Sequence, residues 1–168
     1  TANSVASGSN DLYEVVFKLA EFARNNVEYD LSTQTVSASQ PASWVLENKR
    51  GVCDELTSLF IAMARSLGIP AKFVSGVSYT NLDSFDNPWQ AHGWAEVYFP
   101  DIGWVPFDVT YGEYGWVDVS HVKFKEDLDS DRTAADFRGR GKNFQLVPGE
   151  LETSFNVVES KGRLNPAV

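Results

Sequence analysis

One cysteine (Cys53), one methionine and two histidines (His92 and His121) are all that 168 residues supply of those types. A single thiol excludes an internal disulfide framework and any cysteine-rich metal site, and it leaves the compartment open. Cationic residues are also scarce: 14 lysines and arginines stand against 23 aspartates and glutamates, a formal net charge of −9. No basic stripe interrupts that balance, so no nucleic-acid partner is expected. No apolar run reaches the roughly 18 residues of a membrane span, and no membrane contact is expected from this chain. Internal repeats are absent, and low complexity is confined to the first ten residues. What is present is globular, with 43% hydrophobic and 13% aromatic residues, in a length that suits one domain with a full core.

Residues 1–10 are small and polar and read as a disordered lead-in, a linker or a processed terminus. The chain opens on Thr1, so we expect a domain of a longer protein, exported or held at the cell envelope. Residues 11–168 are expected to form that single domain. Asp11 followed by Glu14 has the form of a capping box ahead of a helix whose apolar stripe is Leu12, Val15, Val16, Leu19, Phe22 and Ala23, ending near Asn25-Asn26. Residues 30–40 read as a loop, and Pro41 suits the first position of a short helix carrying Trp44, Val45 and Leu46. A third helix follows Cys53, with Leu56, Leu59, Phe60, Met63, Ala64 and Leu67 on one stripe, Gly68 as cap and Pro70 as stop.

The period then changes. Ala71 to Tyr79 reads as a strand and Asn81 to Trp89 as a loop. Ala91 to Phe99 alternates, with His92, Trp94, Glu96 and Tyr98 on one face. Pro100 to Gly103 is turn-like and Trp104 to Val109 makes the second strand of a hairpin. Trp116 to Phe124 is expected to be a further strand, and Phe144–Val147 with Thr153–Val158 a closing hairpin. Helices first and strands after define an α+β fold, with N-terminal helices packed on an antiparallel β-sheet.

Free cysteines are most often small apolar fillers. Cys53 has a second reading, because it sits at a helix N-terminus, where the positive end of the dipole favours a thiolate. Asp54 and Glu55 oppose that by raising the thiol pKa, so a nucleophilic Cys53 needs a base elsewhere. His92 opens a strand and Asp108 lies near the end of the next, which offers a base and an orienting carboxylate. Register tests the pair. A four-residue turn at Pro100–Gly103 sets Asp108 opposite Ala95, on the face that His92 does not share. Either a bulge near Pro106, where proline cannot donate to the ladder, or a turn of odd length is therefore required.

The blocks Gly51-Val52-Cys53-Asp54-Glu55, Ala64 to Ala71, His92 to Tyr98 and Gly103 to Asp108 resemble the transglutaminase-like superfamily in order and spacing, over about residues 11–124. The resemblance implies a papain-like core with Cys53 as nucleophile, His92 as base and Asp108 as orienting group. It implies a thiol acyltransferase or cysteine peptidase that works through a thioester on a peptide or protein substrate, with no cofactor. Val52 and Asp54 stand where animal members carry glutamine and tryptophan, so the chain looks more like the bacterial and archaeal members, and the calcium sites of the animal enzymes do not transfer. Cleavage of N-linked glycans belongs to the same superfamily and finds no supporting feature here. The alternative is a non-catalytic protein- or glycan-binding module that keeps the fold. The Cys53 backbone N–H is one expected oxyanion donor, and Gln40 or Trp44 could supply a second.

Other residues have plainer readings. His121 reads as a structural histidine. Asp127, Asp129 and Asp131 alternate as at the start of a calcium loop. Arg132 and Arg138, however, stand at the glycine and glutamate positions of that loop, so a solvated acidic segment is expected and no metal site. Trp89 and Trp94 flank His92 and could line a groove. Glu96 invites a cation such as Arg65.

Overall fold

The computed structural model describes residues 1–33, 39–81 and 87–130. Helix α1 spans Ala2–Ala6 and α2 spans Leu12–Asn26. Residues 1–10 are thus not the disordered lead-in that their composition suggests. The side chains of Ala2 and Val5 are small enough to pack on the core, and Ala2 is buried there. Asp11 caps α2 by accepting the Glu14 N–H at 2.8 Å. Val16, Leu19, Ala20 and Ala23 of α2 are fully buried, as expected of an amphipathic stripe.

Strand β1, Glu28–Tyr29, pairs in parallel with β2, Arg50–Gly51. Between them lies α3, Ala42–Asn48, for which Pro41 is the cap, not the first turn. Helix α4 runs from Cys53 to Ser66 and buries Leu56, Leu59, Phe60, Met63 and Ala64. Its entrance is held by Glu55. That buried carboxylate accepts the N–H groups of Val52 at 3.0 Å and of Gln40 at 2.8 Å. Gly51 is required beside it, since a Cβ there would lie 2.3 Å from Glu55 Cβ.

The sheet contains β3 (Ala71–Tyr79), β4 (Trp89–Phe99), β5 (Gly103–Asp108), β6 (Glu113–Tyr114) and β7 (His121–Asp127), in the order β6-β5-β4-β3-β7. All its pairings are antiparallel. Ala95, Val97 and Phe99 of β4 join Phe73 and Phe107 in the core cluster with α2 and α4. Phe60 and Phe107 meet with ring centroids 5.8 Å apart. Each such buried ring contributes about 1.5–3 kcal/mol.

Strand β7 starts later than Trp116. Trp116 is 55% and Val119 99% exposed, and Asp118 accepts the Ser120 N–H at 2.8 Å. That side-chain turn breaks the run, and β7 begins at His121 and extends to Asp127. Glu96 pairs with Lys72 at 3.0 Å and Lys123 at 2.7 Å, while Arg65 reaches Asp129 at 2.9 Å. Asp129 thus holds a cation-pairing place at the surface. Asp131 and the hairpin expected at 144–158 fall outside the described residues. Among the described residues no helix is long and apolar enough to cross a membrane.

Candidate active site

The β4–β5 hairpin decides whether His92 and Asp108 can meet. Phe99 pairs with Gly103, so the turn contains three residues, Pro100 to Ile102. The Ile102 N–H bonds to the Phe99 carbonyl, and Asp101 takes φ 66, with Gly103 at φ 98. This odd turn, not a bulge at Pro106, corrects the parity. Pro106 faces Glu96 in regular register and Phe107 faces Ala95. Asp108 is then in phase with Trp94 and His92. His92 Nε2 lies 2.6 Å from Asp108 Oδ2.

Asp108 is fully buried and saturated with donors. Its Oδ1 accepts the N–H groups of Thr110 at 2.7 Å and Tyr111 at 2.9 Å. Its Oδ2 faces a second imidazole as well, His121 Nε2 at 2.9 Å. Burial alone would raise this carboxyl, but the hydrogen bonds from His121 and His92 outweigh it and hold the group well below the usual carboxylate range. His92 is clamped between rings, with Tyr111 stacked at 4.7 Å and Trp94 at 6.1 Å between centroids. Trp94 is only 2% exposed, so it supports His92 and does not line a groove. Gly76, opposite His92 on β3, leaves room for the Trp94 ring, since a Cβ there would come within 2.9 Å of it.

Cys53 is 8% exposed and shares a small pocket with His92, Tyr29, Leu31, Ser78, Gln90 and Ala91. Tyr29 and Leu31 are about half exposed, which opens the pocket at its rim. The thiol is not acidified in this arrangement. Burial first, then the charge of Asp54, push it above the ordinary thiol range, and the backbone N–H groups of Gly93 and Asp54 pull only partly the other way. Sγ lies 3.8 Å from Asp54 Oδ1. The helix N-terminus expected to favour a thiolate is present, but the apolar surroundings and the Asp54 side chain outweigh it. Gly93 is fixed between α4 and the sheet. Its carbonyl accepts Thr57 Oγ1 at 3.1 Å, and a Cβ would meet Phe73 Cζ at 2.3 Å and Asp54 Oδ1 at 2.8 Å.

Three side chains at this site were read otherwise or overlooked in the sequence. His121 is tied to Asp108, an arrangement set by the β3–β7 pairing of Ser78 with His121. Tyr111 stacks on His92 from the loop after β5. Tyr29 is paired with Gly51, two residues before Cys53. Burial pushes its hydroxyl above the usual phenol range. Its position next to the end of a helix gave no periodic signal. Gln40 and Trp44 do not line the Cys53 pocket; the Gln40 N–H is engaged by Glu55, and the Trp44 ring lies under Arg50.

His92, Asp108 and His121 are close enough to surround a cation, as are Glu113, Asp118 and His121. The separations of 2.6 and 2.9 Å at Asp108 Oδ2 are hydrogen-bond lengths. Ligands at about 2.1 Å from a tetrahedral ion would stand about 3.4 Å from each other. In the second cluster the 3.0 Å between His121 Nδ1 and Asp118 Oδ1 is likewise a hydrogen-bond length. The donor set is a hydrogen-bond network.

The family model of the transglutaminase-like superfamily matches residues 1–109. The uncharacterized protein YebA of Bacillus subtilis is 37% identical over 78 residues, 41% of this chain and 11% of that protein. A protein-glutamine gamma-glutamyltransferase of Pseudomonas aeruginosa is 26% identical over 98 residues, 55% of this chain and 15% of the relative. Among solved structures, a candidate cysteine protease from Cytophaga hutchinsonii superposes with TM-score 0.64 at 27% identity, covering 78% of this chain and 42% of its own. The periplasmic domain of TgpA from Pseudomonas aeruginosa superposes with TM-score 0.52 at 22% identity, over 66% of this chain and 40% of its own, a likeness of fold. The chain therefore spans a minor part of the length of these relatives.

Proposed function

The chain belongs to the transglutaminase-like superfamily, and from that premise we propose that it is a cysteine-dependent acyl transferase or hydrolase acting on the amide of a peptide or protein. The observation that carries this reading is the buried His92–Asp108 hydrogen bond of 2.6 Å on the wall of the pocket that contains Cys53. Asp108 fixes the His92 tautomer by engaging Nε2, which leaves Nδ1 as the proton-accepting atom.

The thiol is protonated at rest, so its proton passes to His92 as sulfur attacks the substrate carbonyl. The oxyanion forms beside the N-terminus of α4, where the Cys53 backbone N–H has no intrahelical partner. Tyr29 is the second donor in this scheme, because it lines the same pocket as Cys53. The C–N bond then breaks, His92 returns its proton to the leaving amine, and a thioester remains on Cys53. Water resolves it to an acid, or an amine resolves it to a new amide: each gives its proton to His92, the C–S bond breaks, and His92 returns the proton to sulfur.

Acylation by p-nitrophenyl acetate, followed by intact mass, tests the scheme. One acetyl group per chain is expected in the wild type and none in Cys53→Ala. A wild-type chain that takes up no acetyl group would leave the deeply seated thiol as a packing residue and the domain as a protein- or glycan-binding module.

A further inference from the structure

Both ring nitrogens of His121 face carboxylates. Nε2 is 2.9 Å from Asp108 Oδ2 and Nδ1 is 3.0 Å from Asp118 Oδ1, with Glu113 Oε2 at 3.9 Å from the same nitrogen. An ionised carboxylate only accepts hydrogen bonds, so each nitrogen has to donate, and a ring that donates from both is an imidazolium. Asp108 and Asp118 are both held below the usual carboxylate range, Asp108 by its histidines against burial and Asp118 by Ser120 first. The His121 side chain is 1% exposed, so its charge is screened less than one at the surface.

We infer that His121 is a fixed cation behind Asp108, a positioning residue that orients the carboxylate and sets the acidity of the Cys53–His92 pair. The inference rests on the functional reading above for the word acidity, though not for the charge. The geometry makes the coupling direct. One oxygen, Asp108 Oδ2, serves both imidazoles, and the two rings stand 5.6 Å apart between centroids. Among the described residues, the groups facing His121 are Asp108, Glu113, Asp118, His92, the Ser120 hydroxyl at 3.4 Å from Nδ1, and the Tyr111 and Trp94 rings, with no lysine or arginine among these contacts. Burial works against its charge, and Asp108, Asp118 and Glu113 more than offset that, so its pKa stands above the ordinary histidine value. A positive charge behind Asp108 favours negative charge on sulfur. The pair therefore reaches its working protonation state at lower pH than an isolated Cys–His–Asp set would.

Two experiments on the full chain test this. Nitrogen-15 spectra of the histidine rings in the wild type are expected to show both nitrogens of His121 protonated at about pH 7, above the ordinary histidine value of about 6.5. A singly protonated ring there would overturn the assignment, and this measurement needs no reactive thiol. In His121→Gln, an N–H donor to Asp108 is kept while the charge is removed. The acid limb of Cys53 alkylation by iodoacetamide is expected to move up by about one pH unit, with the plateau rate little changed. An unmoved or lowered acid limb would overturn the tuning role. A wild-type Cys53 that no pH activates would overturn the functional reading instead, and the ring spectrum would still decide the charge.

Discussion

Asp108→Asn is the substitution with the most to say about this site. The asparagine oxygen can replace Oδ1 and keep the Thr110 and Tyr111 N–H bonds, now at 2.7 and 2.9 Å. Its NH₂ group would then replace Oδ2, where two imidazole N–H donors converge at 2.6 and 2.9 Å. Donor meets donor at His121, whose cation keeps only Asp118 at 3.0 Å, with Glu113 farther off, while His92 can accept the NH₂ group only by moving its proton to Nδ1. Removing one partner of a buried charge pair costs about 3–5 kcal/mol, so urea unfolding at neutral pH should show a loss of that size. The pH dependence fixes the cause. The folded-state pKa of Asp108 is depressed, so its contribution is complete above the unfolded value of about 3.9 and is lost as pH falls toward the folded value. The gap between wild type and variant should therefore close by about 1.4 kcal/mol per pH unit below about pH 4. A loss below about 1 kcal/mol at neutral pH, or a gap that stays constant into acid, would refute the charge account and leave Asp108 as an ordinary hydrogen-bonding residue.

Two further substitutions probe other parts of the pocket. Gly93→Ala would drive a methyl group to 2.3 Å from Phe73 Cζ and 2.8 Å from Asp54 Oδ1; overpacking of this kind costs about 1–3 kcal/mol, readable as a fall in Tm, and Cys53 alkylation should slow because β4 carries His92; an unchanged Tm would mean that the strand gives way freely. Tyr29→Phe should cut acylation by p-nitrophenyl acetate about 10- to 100-fold, since it removes a donor to a carbonyl oxyanion. Alkylation by iodoacetamide, which builds no oxyanion, should be unaffected. Equal effects on both reagents would remove Tyr29 from the oxyanion site.

Elements bounded by strong punctuation were legible in the sequence. β3 occupies Ala71–Tyr79 as its run of β-branched and aromatic residues indicates, and α4 starts at Cys53 because the apolar stripe and the glycine before it say so. The parity argument on the hairpin required an odd turn or a bulge, and a three-residue turn is what the chain adopts. Contacts across long sequence separations were not legible. His121 reaches Asp108 through the pairing of β7 with β3, which no local pattern encodes. Tyr29 reaches the pocket through a two-residue parallel pair too short to leave a signature. The first residues looked like a linker by composition, yet Ala2 is buried and Val5 packs on the core. For Cys53, the helix N-terminus and the opposing charge of Asp54 were readable, but the burial that raises the thiol most was not.

Activation of Cys53 by His92 is tested by the pH dependence of Cys53 alkylation by iodoacetamide in the wild type and in His92→Ala. The thiol is raised by burial and by Asp54, so its reactivity has to follow the base beside it, not its own ionisation. The wild-type thiol is expected to react well below the ordinary thiol value of about 8.5. In His92→Ala that reaction should be slowed about 100-fold or more. Equal rates in the two proteins, or an inert thiol in both, would contradict activation by His92.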